Sequence, residues 1–480
     1  MLVEPTRIIP HRHSPISTLD DDVFLNIFYL YRLDIGDEGD DEGIFVRRWD
    51  RQRWWYKLAQ VSQHWRSLIL RSPSRLDLHL LCTYGVPVAE MLVHSPPLPI
   101  TIFYNDRFRE MTTEDEDGIL LAILQRDRVR RMALKMPASN VQKLIPAMGG
   151  QFPILGRLSF KSQTNEDISL ILPKEFQAPN LRHIDFWRVA LPMRSPILSN
   201  TVGLVHLWLG RTPGSAYFTP NYILTRLSLM PQLETLGIGF YSPLPNRDVV
   251  RQLLGAPVIP HVTLPRLRLF SFRGVSAYLE ALLTRITAPV LNTLALHLFN
   301  QLTFTAPYLL RFLQLTENII FHAVGLTFDR DCIQLLAHSN LKPLEHPFGL
   351  RVTCRNLDWQ VASAAQILGT LSPVLSGVEK LTLKHVKHDL SSAWHDDVDS
   401  TQWRELLIPF SNVKSLHVES DLVKTLSRSL RCEDGELHPR LEVLPNLEEL
   451  VSGSDVGDVF TPFINERRAA GYSVRLASDF

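Results

Sequence analysis

The sequence is poor in cysteine and has no long uninterrupted apolar stretch. Its four cysteines, Cys82, Cys332, Cys354 and Cys432, lie far apart in a chain of 480 residues, and no two have metal-ligand spacing. This pattern predicts neither a disulfide framework nor a cysteine-based zinc site. No run approaches the roughly 18 apolar residues that a membrane-spanning helix requires, so no membrane span is expected.

Net charge is absent too, because 50 basic and 50 acidic residues cancel. Without a global field, neither nucleic acid nor an anionic membrane is an expected partner. Residues 1–13 lack the apolar core of a secretory signal, and no Asn-x-Ser/Thr acceptor occurs. With 45% hydrophobic and 21% charged residues the composition is that of a globular protein. We expect it to be intracellular, in the cytoplasm, the nucleus or both.

Signatures of catalysis are missing as well. There is no His-Glu-x-x-His, no Gly-x-Ser-x-Gly and no Gly-Lys-Ser/Thr phosphate loop. Histidines and aspartates cluster in one segment, but they follow no known metal-ligand order, and a solvated loop is the favoured interpretation. The cluster is His385, His388, Asp389, His395, Asp396 and Asp397. We assign no catalytic residue, no cofactor and no metal.

Two amphipathic segments stand out near the N-terminus. Between 19 and 30, apolar residues recur with helical period after carboxylates that suit the start of a helix. Between 54 and 68, large apolar residues recur at spacings of four and three, Ser62 can cap a new helix among them, and Pro73 ends the run. Helices this short cannot enclose so many large side chains, so an apolar face should remain for another protein.

These segments resemble an F-box, the short helical module that docks on a Skp-type adaptor. The resemblance lies in Leu19 to Phe28, followed by Trp54-x3-Leu58-x2-Val61-x3-Trp65. It departs from the family where Asp20 replaces the usual proline and where an acidic insertion, Gly36–Gly43, separates the halves. A Skp-type adaptor and, through it, a cullin are the implied partners. The implied adaptor-binding residues are Leu19, Val23, Ile27, Phe28, Leu58, Val61 and Trp65.

The acidic insertion allows two interpretations. Asp34, Gly36 and Glu38 lie at alternate positions, as calcium ligands do in an EF-hand. The twelfth position is Phe45, however, where an EF-hand requires a bidentate glutamate. A flexible, solvated segment that is dispensable for adaptor binding is therefore the prediction.

A motif with apolar residues at its first, fourth and sixth positions recurs through the rest of the chain. It begins at Val129, Leu155, Leu181, Leu204, Leu233, Leu267, Leu291, Val378, Val413 and Leu447. One short strand cannot bury its apolar side alone, whereas stacked copies bury a continuous core. We therefore predict one parallel strand per copy, with the fourth-position residues in one buried row. That row is Leu158, Ile184, Leu207, Leu236, Phe270 and Leu294.

The motif resembles irregular leucine-rich repeats. Helices are predicted between the strands, at 222–230, 275–285, 362–375, 402–409 and 421–430. Two strands, at 76–80 and 99–103, should precede the repeats, and the pattern between 299 and 354 is blurred. A helix opened by Pro462 and a strand at 472–476 should form a C-terminal cap.

The expected fold class is α/β: a small all-α F-box-like module followed by a leucine-rich-repeat solenoid with concave parallel strands and convex helices. The expected domains are a tail at 1–15, the module at 16–75 and the solenoid at 76–480. In this organisation the chain resembles leucine-rich-repeat F-box proteins, particularly those abundant in mushroom-forming fungi.

Candidate substrate-binding residues lie between the buried positions of two neighbouring strands, where side chains face the concave side. They are Arg182, Asp185, Trp187, Trp208 and Arg211. Tryptophan and arginine are enriched at binding hot spots. The alternative is that a long loop covers both tryptophans as additional core, because large aromatic residues are usually buried.

The resemblance implies a substrate receptor of an SCF-type cullin-RING ubiquitin ligase, which binds the adaptor through its helices and an unknown protein through its repeats. A non-degradative adaptor or scaffold is the second hypothesis. A third is a hydrolase with an unrecognised site, which a strongly perturbed carboxylate or histidine in a deep pocket would favour.

Overall fold

The computed structural model describes most of the chain, in two compact units. The described residues are 19–34, 54–105, 110–162, 166–192, 195–199, 202–243, 261–301, 303–304, 306–338, 346–386, 398–419, 422–430, 443–452 and 457–478. Unit 1 comprises Met1–Lys135 and Gly150–Leu155, and unit 2 comprises Met136–Gly149 and Gly156–Phe480. The expected tail and the acidic insertion lie outside the described residues, and the domain boundary at residue 75 stays a prediction.

Three short helices begin unit 1: α1 (Asp21–Asp34), α2 (Trp54–Ala59) and α3 (Gln63–Arg71). The second predicted segment is split as expected, because Ser62 caps α3 and accepts a hydrogen bond from Trp65 N at 3.1 Å. Phe24 and Phe28 of α1 pack on α3, with ring centroids 5.5 and 5.0 Å from that of Trp65. We call α1, α2 and α3 the helical group.

The rest of unit 1 contains α4 (Val88–His94), α5 (Thr113–Leu124) and three parallel strands, β1 (Leu80–Cys82), β2 (Ile100–Asn105) and β3 (Val129–Lys135). The strand predicted at 99–103 is confirmed by β2. The strand predicted at 76–80 is wrong, because the chain turns there. Asp77 has a φ of 48°, and Leu78 N donates back to Pro73 O at 2.9 Å.

Unit 2 is built on thirteen strands of the described residues that pair in one sheet. In chain order they are β4 (Arg157–Lys161), β6 (His183–Trp187), β8 (His206–Thr212), β9 (Thr235–Phe240), β11 (Leu269–Gly274), β13 (Thr293–Leu298), β14 (Ala323–Asp329), β15 (Cys332–His338), β16 (Phe348–Thr353), β17 (Lys380–His385), β18 (Ser415–Val418), β19 (Glu449–Ser452) and β20 (Arg475–Ser478). Their order in the sheet is β4-β6-β8-β9-β11-β13-β16-β15-β14-β17-β18-β19-β20. Two short parallel pairs form separate two-stranded sheets. They are β5 (Ile168–Ser169) with β7 (Val189–Ala190), and β10 (Val262–Thr263) with β12 (Ile286–Thr287).

Helices alternate with these strands as predicted. They are α6 (Ala138–Leu144), α7 (Pro196–Ser199), α8 (Pro220–Leu227), α9 (Ser276–Leu283), α10 (Pro307–Gln314), α11 (Leu357–Leu375), α12 (Ser400–Leu407), α13 (Val423–Ser429) and α14 (Thr461–Ala469). The five predicted inter-strand helices correspond to α8, α9, α11, α12 and α13. The expected last helix and last strand correspond to α14 and β20. Among the described residues, no helix has both the length and the apolar character needed to cross a bilayer.

The predicted buried row is confirmed. Its six members pair with one another in register across adjacent strands, and each is at most 2% exposed. The same register continues to the end of the sheet. The additional members are Phe348, Ala337, Val324, Leu381, Leu416 and Leu450, which are buried, and Leu476 of the last strand, which is 40% exposed. One apolar row therefore crosses all thirteen strands.

The helices of unit 2 cover the sheet face that carries this row. Tyr278 of α9 packs its ring 4.9 Å from that of Phe240 and 5.8 Å from that of Phe272, and Trp403 of α12 lies 5.4 Å from Phe328. The sixth-position residues are thus buried together with the fourth. We call the opposite face, which carries the fifth- and seventh-position residues of the motif, the open face.

The prediction of one parallel strand per repeat is wrong between β13 and β17. There β15 runs antiparallel to both β14 and β16. After β13 the chain places β14 three positions further along the sheet, and β15 and β16 then fill the gap backwards until β16 pairs with β13. The 19-residue α11, about 28 Å long, returns the chain to β17 beside β14. This detour explains why the sequence pattern is blurred here.

Candidate binding site on the open face of the sheet

The open face differs from the helix-covered face because its side chains are only partly buried. Along β6 and β8, residues of the row are buried while Asp185, Trp187 and Trp208 between them are half-buried. This alternation follows from the two-residue period of a strand. The structure therefore places these three residues on the face that the sequence predicted.

The two tryptophans lie across the glycines of the next strand. A Cβ atom added to Gly210 would overlap the Trp187 ring, and one added to Gly237 would overlap the Trp208 ring. Their partial burial thus comes from the sheet itself, and both rings line a cavity on the open face. Whether they contact a partner stays a prediction.

Arg211 reaches the open face through a bulge. The pairing of β8 with β9 shifts between Leu209 and Thr212, and Arg211 adopts a left-handed φ of 49°. That conformation is unfavourable for a residue with a Cβ atom. Its guanidinium lies 5.2 Å from the centre of the Trp187 ring, close enough for a cation–π contact.

The other two predicted residues are not part of the cavity lining. Asp185 forms an ion pair with Lys161, with Nζ 2.9 Å from Oδ2. Arg182 is exposed just before β6. The structure therefore brings Trp187, Trp208 and Arg211 together and leaves Asp185 and Arg182 beside them.

The cavity has a volume of about 360 Å³ and is lined by residues of β6, β8, β9, β11, β13, β15 and β16. Its space arises because four consecutive strands carry small residues at the fifth position, in register with Trp208. These small residues are Gly237, Ser271, Ala295 and Gly349. Trp208 borders this floor on one side and Leu336, paired with Gly349, borders it on the other.

The seventh positions give the cavity a basic side. Arg273, His297 and Arg351 are directly paired on β11, β13 and β16, and Arg211 also lines the cavity. No aspartate or glutamate of the described residues lines it. Burial, and then the charges of Arg211 and Arg351, lowers the pKa of Arg273. We call Arg211, Arg273, His297 and Arg351 the basic row.

The pKa of His297 is also lowered by burial and by the neighbouring arginines. Burial, followed by the positive charges of Arg273, Arg351 and Arg211, lowers the pKa of His297 to about 4. Its Nε2 lies 2.8 Å from Thr353 Oγ1. A perturbed histidine in a pocket was the feature expected of a hydrolase, but here it is unprotonated near neutral pH and no described carboxylate lines the cavity to orient it. The arrangement suits binding of a negative group better than acid–base chemistry.

Sequence reasoning missed Arg273, His297 and Arg351. Their signal was the seventh position of the motif, which Trp187 also occupies. Arg351 was harder to find, because β16 enters the sheet through the detour and its copy of the motif is poor.

The proposed adaptor-binding residues differ in exposure and fall into three classes. Leu19, Val23, Ile27 and Val61 are between 38% and 60% exposed, so their apolar side chains face solvent. Leu58 and Trp65 are half-buried. Phe28 is only 1% exposed, so in this conformation it supports the surface instead of forming it.

The histidine and aspartate cluster contributes little to the described structure. His385 ends β17, and its backbone N donates to Glu419 Oε2 at 2.7 Å. The other five members lie outside the described residues. Within the described part of the chain, no group of three histidine, cysteine, aspartate or glutamate residues is arranged to hold a metal ion.

No family model and no curated protein matches the sequence. Among solved structures, a leucine-rich-repeat-containing protein of Legionella pneumophila is 12% identical, with 83% of this chain and 99% of that chain covered and a TM-score of 0.26. A leucine-rich-repeat protein of Leptospira interrogans is 13% identical, with 83% and 99% covered and a TM-score of 0.25. The repeat architecture follows from the strand pairing and the buried row.

Proposed function

We propose that this chain is the substrate-recognition subunit of an SCF-type cullin-RING ubiquitin ligase. In this role the helical group docks on a Skp-type adaptor, and the open face of unit 2 binds the protein to be ubiquitinated. The chain performs no bond chemistry. It raises the effective concentration of a target lysine near a charged conjugating enzyme.

The observation that carries the proposal is the exposed apolar surface of the helical group. Val23 and Ile27 lie one helical turn apart on α1, both 42% exposed, and Val61 lies between α2 and α3, 60% exposed. Neighbouring apolar side chains left in solvent are a feature of docking surfaces. Together with the F-box-like spacing, they support an adaptor as the partner.

A second support comes from the open face. It presents half-buried tryptophans and arginines around a cavity, and these residue types dominate the energetics of protein interfaces. A surface of this kind suits recognition of a ligand.

The test of adaptor docking is co-purification of a Skp-type adaptor with the full-length chain carrying Val61→Asp or Ile27→Asp. Val93→Asp is the matched control, because Val93 is an exposed valine of α4 outside the F-box-like pattern. We expect the first two variants to lose the adaptor and the control to keep it, with melting temperatures close to that of the unaltered chain. Equal retention in all three variants would refute the docking surface.

The test of substrate recognition uses affinity purification and mass spectrometry with Trp187→Ala and Trp208→Ala. Each truncation should cost about 2 kcal/mol or more in binding if the residue is a hot spot, while adaptor capture is unchanged. Unfolding before any loss of capture would instead make the tryptophans structural. A captured protein that is never ubiquitinated in the reconstituted ligase would favour the non-degradative scaffold.

A further inference from the structure

The cavity on the open face concentrates positive charge without a counter-charge. Arg273 and Arg351 flank His297 on consecutive strands, which lie about 4.8 Å apart. Arg211 lines the same cavity from β8. Neither Arg211 nor Arg273 has a carboxylate partner among the described residues, and the buried Nε atom of each has no hydrogen-bond acceptor there.

Holding these guanidinium groups together is unfavourable for the unliganded protein. Like charges repel, and partial burial removes the water that would screen them. The left-handed backbone at Arg211 adds local strain. Strain and unpaired charge at one cavity point to a ligand that offsets them, because backbone strain persists mainly where function requires it.

The chemistry of the row selects among anions. Guanidinium forks bind phosphate oxygens through paired, charge-assisted hydrogen bonds. A single carboxylate is satisfied by one such fork, whereas a phosphate monoester offers three oxygens and close to two negative charges near neutral pH. Three arginines line the cavity, and no aspartate or glutamate of the described residues lines it to repel an anion.

We propose that this cavity binds a phosphate monoester. The group can be carried by a small molecule or by a phosphorylated side chain of a protein, since both present the same chemistry. Arg211, Arg273 and Arg351 hold the phosphate, and the Trp208 ring contacts the part of the ligand next to it. Arg351 is oriented by its own hydrogen bond, with Nε donating to Cys332 Sγ at 3.0 Å. The proposal rests on the recognition role proposed above, because it gives the ligand class of the same open face.

The cavity is suited to such a group in size as well. Its volume of about 360 Å³ falls at the small end of ligand pockets, which span about 300–1,000 Å³. The floor of Gly237, Ser271, Ala295 and Gly349 leaves room over the sheet, and the basic row borders this floor along the strands.

The experiment is isothermal titration calorimetry on the full-length chain. Phenyl phosphate is compared with phenol, and a phosphotyrosine peptide is compared with the same peptide unphosphorylated. We expect the phosphorylated member of at least one pair to bind about tenfold tighter or more, with affinity falling as salt is raised. A phosphopeptide that binds tighter than phenyl phosphate identifies a protein ligand; equal affinity identifies a small phosphorylated one. Failure of both pairs to discriminate overturns the proposal.

The variants are Arg273→Gln and Arg351→Gln, with Arg268→Gln as the matched control. Arg268 is an exposed arginine just before β11 that does not line the cavity and is not a candidate binding residue. The first two should lose about tenfold or more in affinity, while the control should change less than about twofold. A loss in Arg268→Gln equal to that in Arg273→Gln would reduce the effect to general charge attraction and overturn the site.

Folding and the ligase role are separated in the same series. Removing Arg273 relieves repulsion, so Arg273→Gln should melt at or above the melting temperature of the unaltered chain. Because Arg351 is exposed, Arg351→Gln should fold even if Arg273→Gln does not. Adaptor co-purification should be unchanged in both. Phosphate binding without adaptor capture would refute the ligase proposal alone, and adaptor capture without phosphate binding would refute only the ligand class.

Discussion

Regularly spaced apolar side chains of the helical group are exposed, whereas those of the sheet of unit 2 are buried. Phe270 and Leu294 in the sheet are fully enclosed, and the strands on either side supply their neighbours. Val23 and Ile27 on α1 are 42% exposed although their spacing is equally regular. The same kind of apolar periodicity thus builds a self-sufficient core in one region and a surface in the other.

The reason is the number of layers available to each region. From β4 to β19 the row residues are buried, because each is covered by its own repeat and its neighbours. The helical group has one small interior, in which the buried Phe24 and Phe28 pack against the half-buried Trp65. Apolar residues beyond that interior, such as Val23 and Ile27, remain exposed.

The largest effect should come from breaking the buried row. Phe270→Ala removes a ring that is fully buried between two strands and should lower the free energy of unfolding by about 3–5 kcal/mol. Urea denaturation followed by circular dichroism measures it. A loss below about 1 kcal/mol would mean that the row does not form the core.

The next effect tests the packing of the open face. Gly237→Ala places a methyl group against the Trp208 ring and should cost about 1–3 kcal/mol in stability. Trp208→Ala in the same chain should remove most of that cost, and Gly203→Ala, which meets no atom within 4 Å, is the control. Additive losses in the double variant would show that the two residues do not touch.

A pH dependence distinguishes the open face from the rest of the sheet. The folded-state pKa of His297, about 4, lies below the ordinary histidine value of 6.5, so folding favours the neutral imidazole. Its stabilising effect is complete above pH 6.5 and is lost as pH falls towards 4. After discounting for partial exposure we expect a loss of about 1–2 kcal/mol, which His297→Gln should abolish. Parallel stability curves for the two proteins from pH 7 to pH 4 would contradict this.

The smallest effect should come from the exposed surface of the helical group. Val61→Ala should change the free energy of unfolding of the isolated chain by less than about 0.5 kcal/mol, because Val61 is 60% exposed. Weaker adaptor binding with unchanged stability would sharpen the contrast with Phe270. A large loss of stability would place Val61 in a core instead.

Much of the fold followed from local spacing, because the fourth-position row depends only on residues near one another in sequence. The turn at Asp77 did not, since alternation in 76–80 resembles a strand while a hydrogen bond to Pro73 bends it. The site was half found. Trp187, Trp208 and Arg211 lie on β6 and β8, which are close in sequence and adjacent in the sheet. Arg351 joins the same cavity only because β16, and not β14, pairs with β13.

The detour through β14 and β15 has a consequence for the order of folding. In a simple stack each strand adds to the one just before it in the chain, so structure can spread without interruption. Here the spread from β4 stops at β13, because the partner of β13 is β16 and the chain must first form the antiparallel β14–β15–β16 sheet. Closing that loop is slower than adding a neighbouring strand. We therefore expect the sheet to assemble as two cooperative blocks that join at β13 and β16. During refolding, the amides of β13 and β16 should become protected from hydrogen exchange later than the amides on either side.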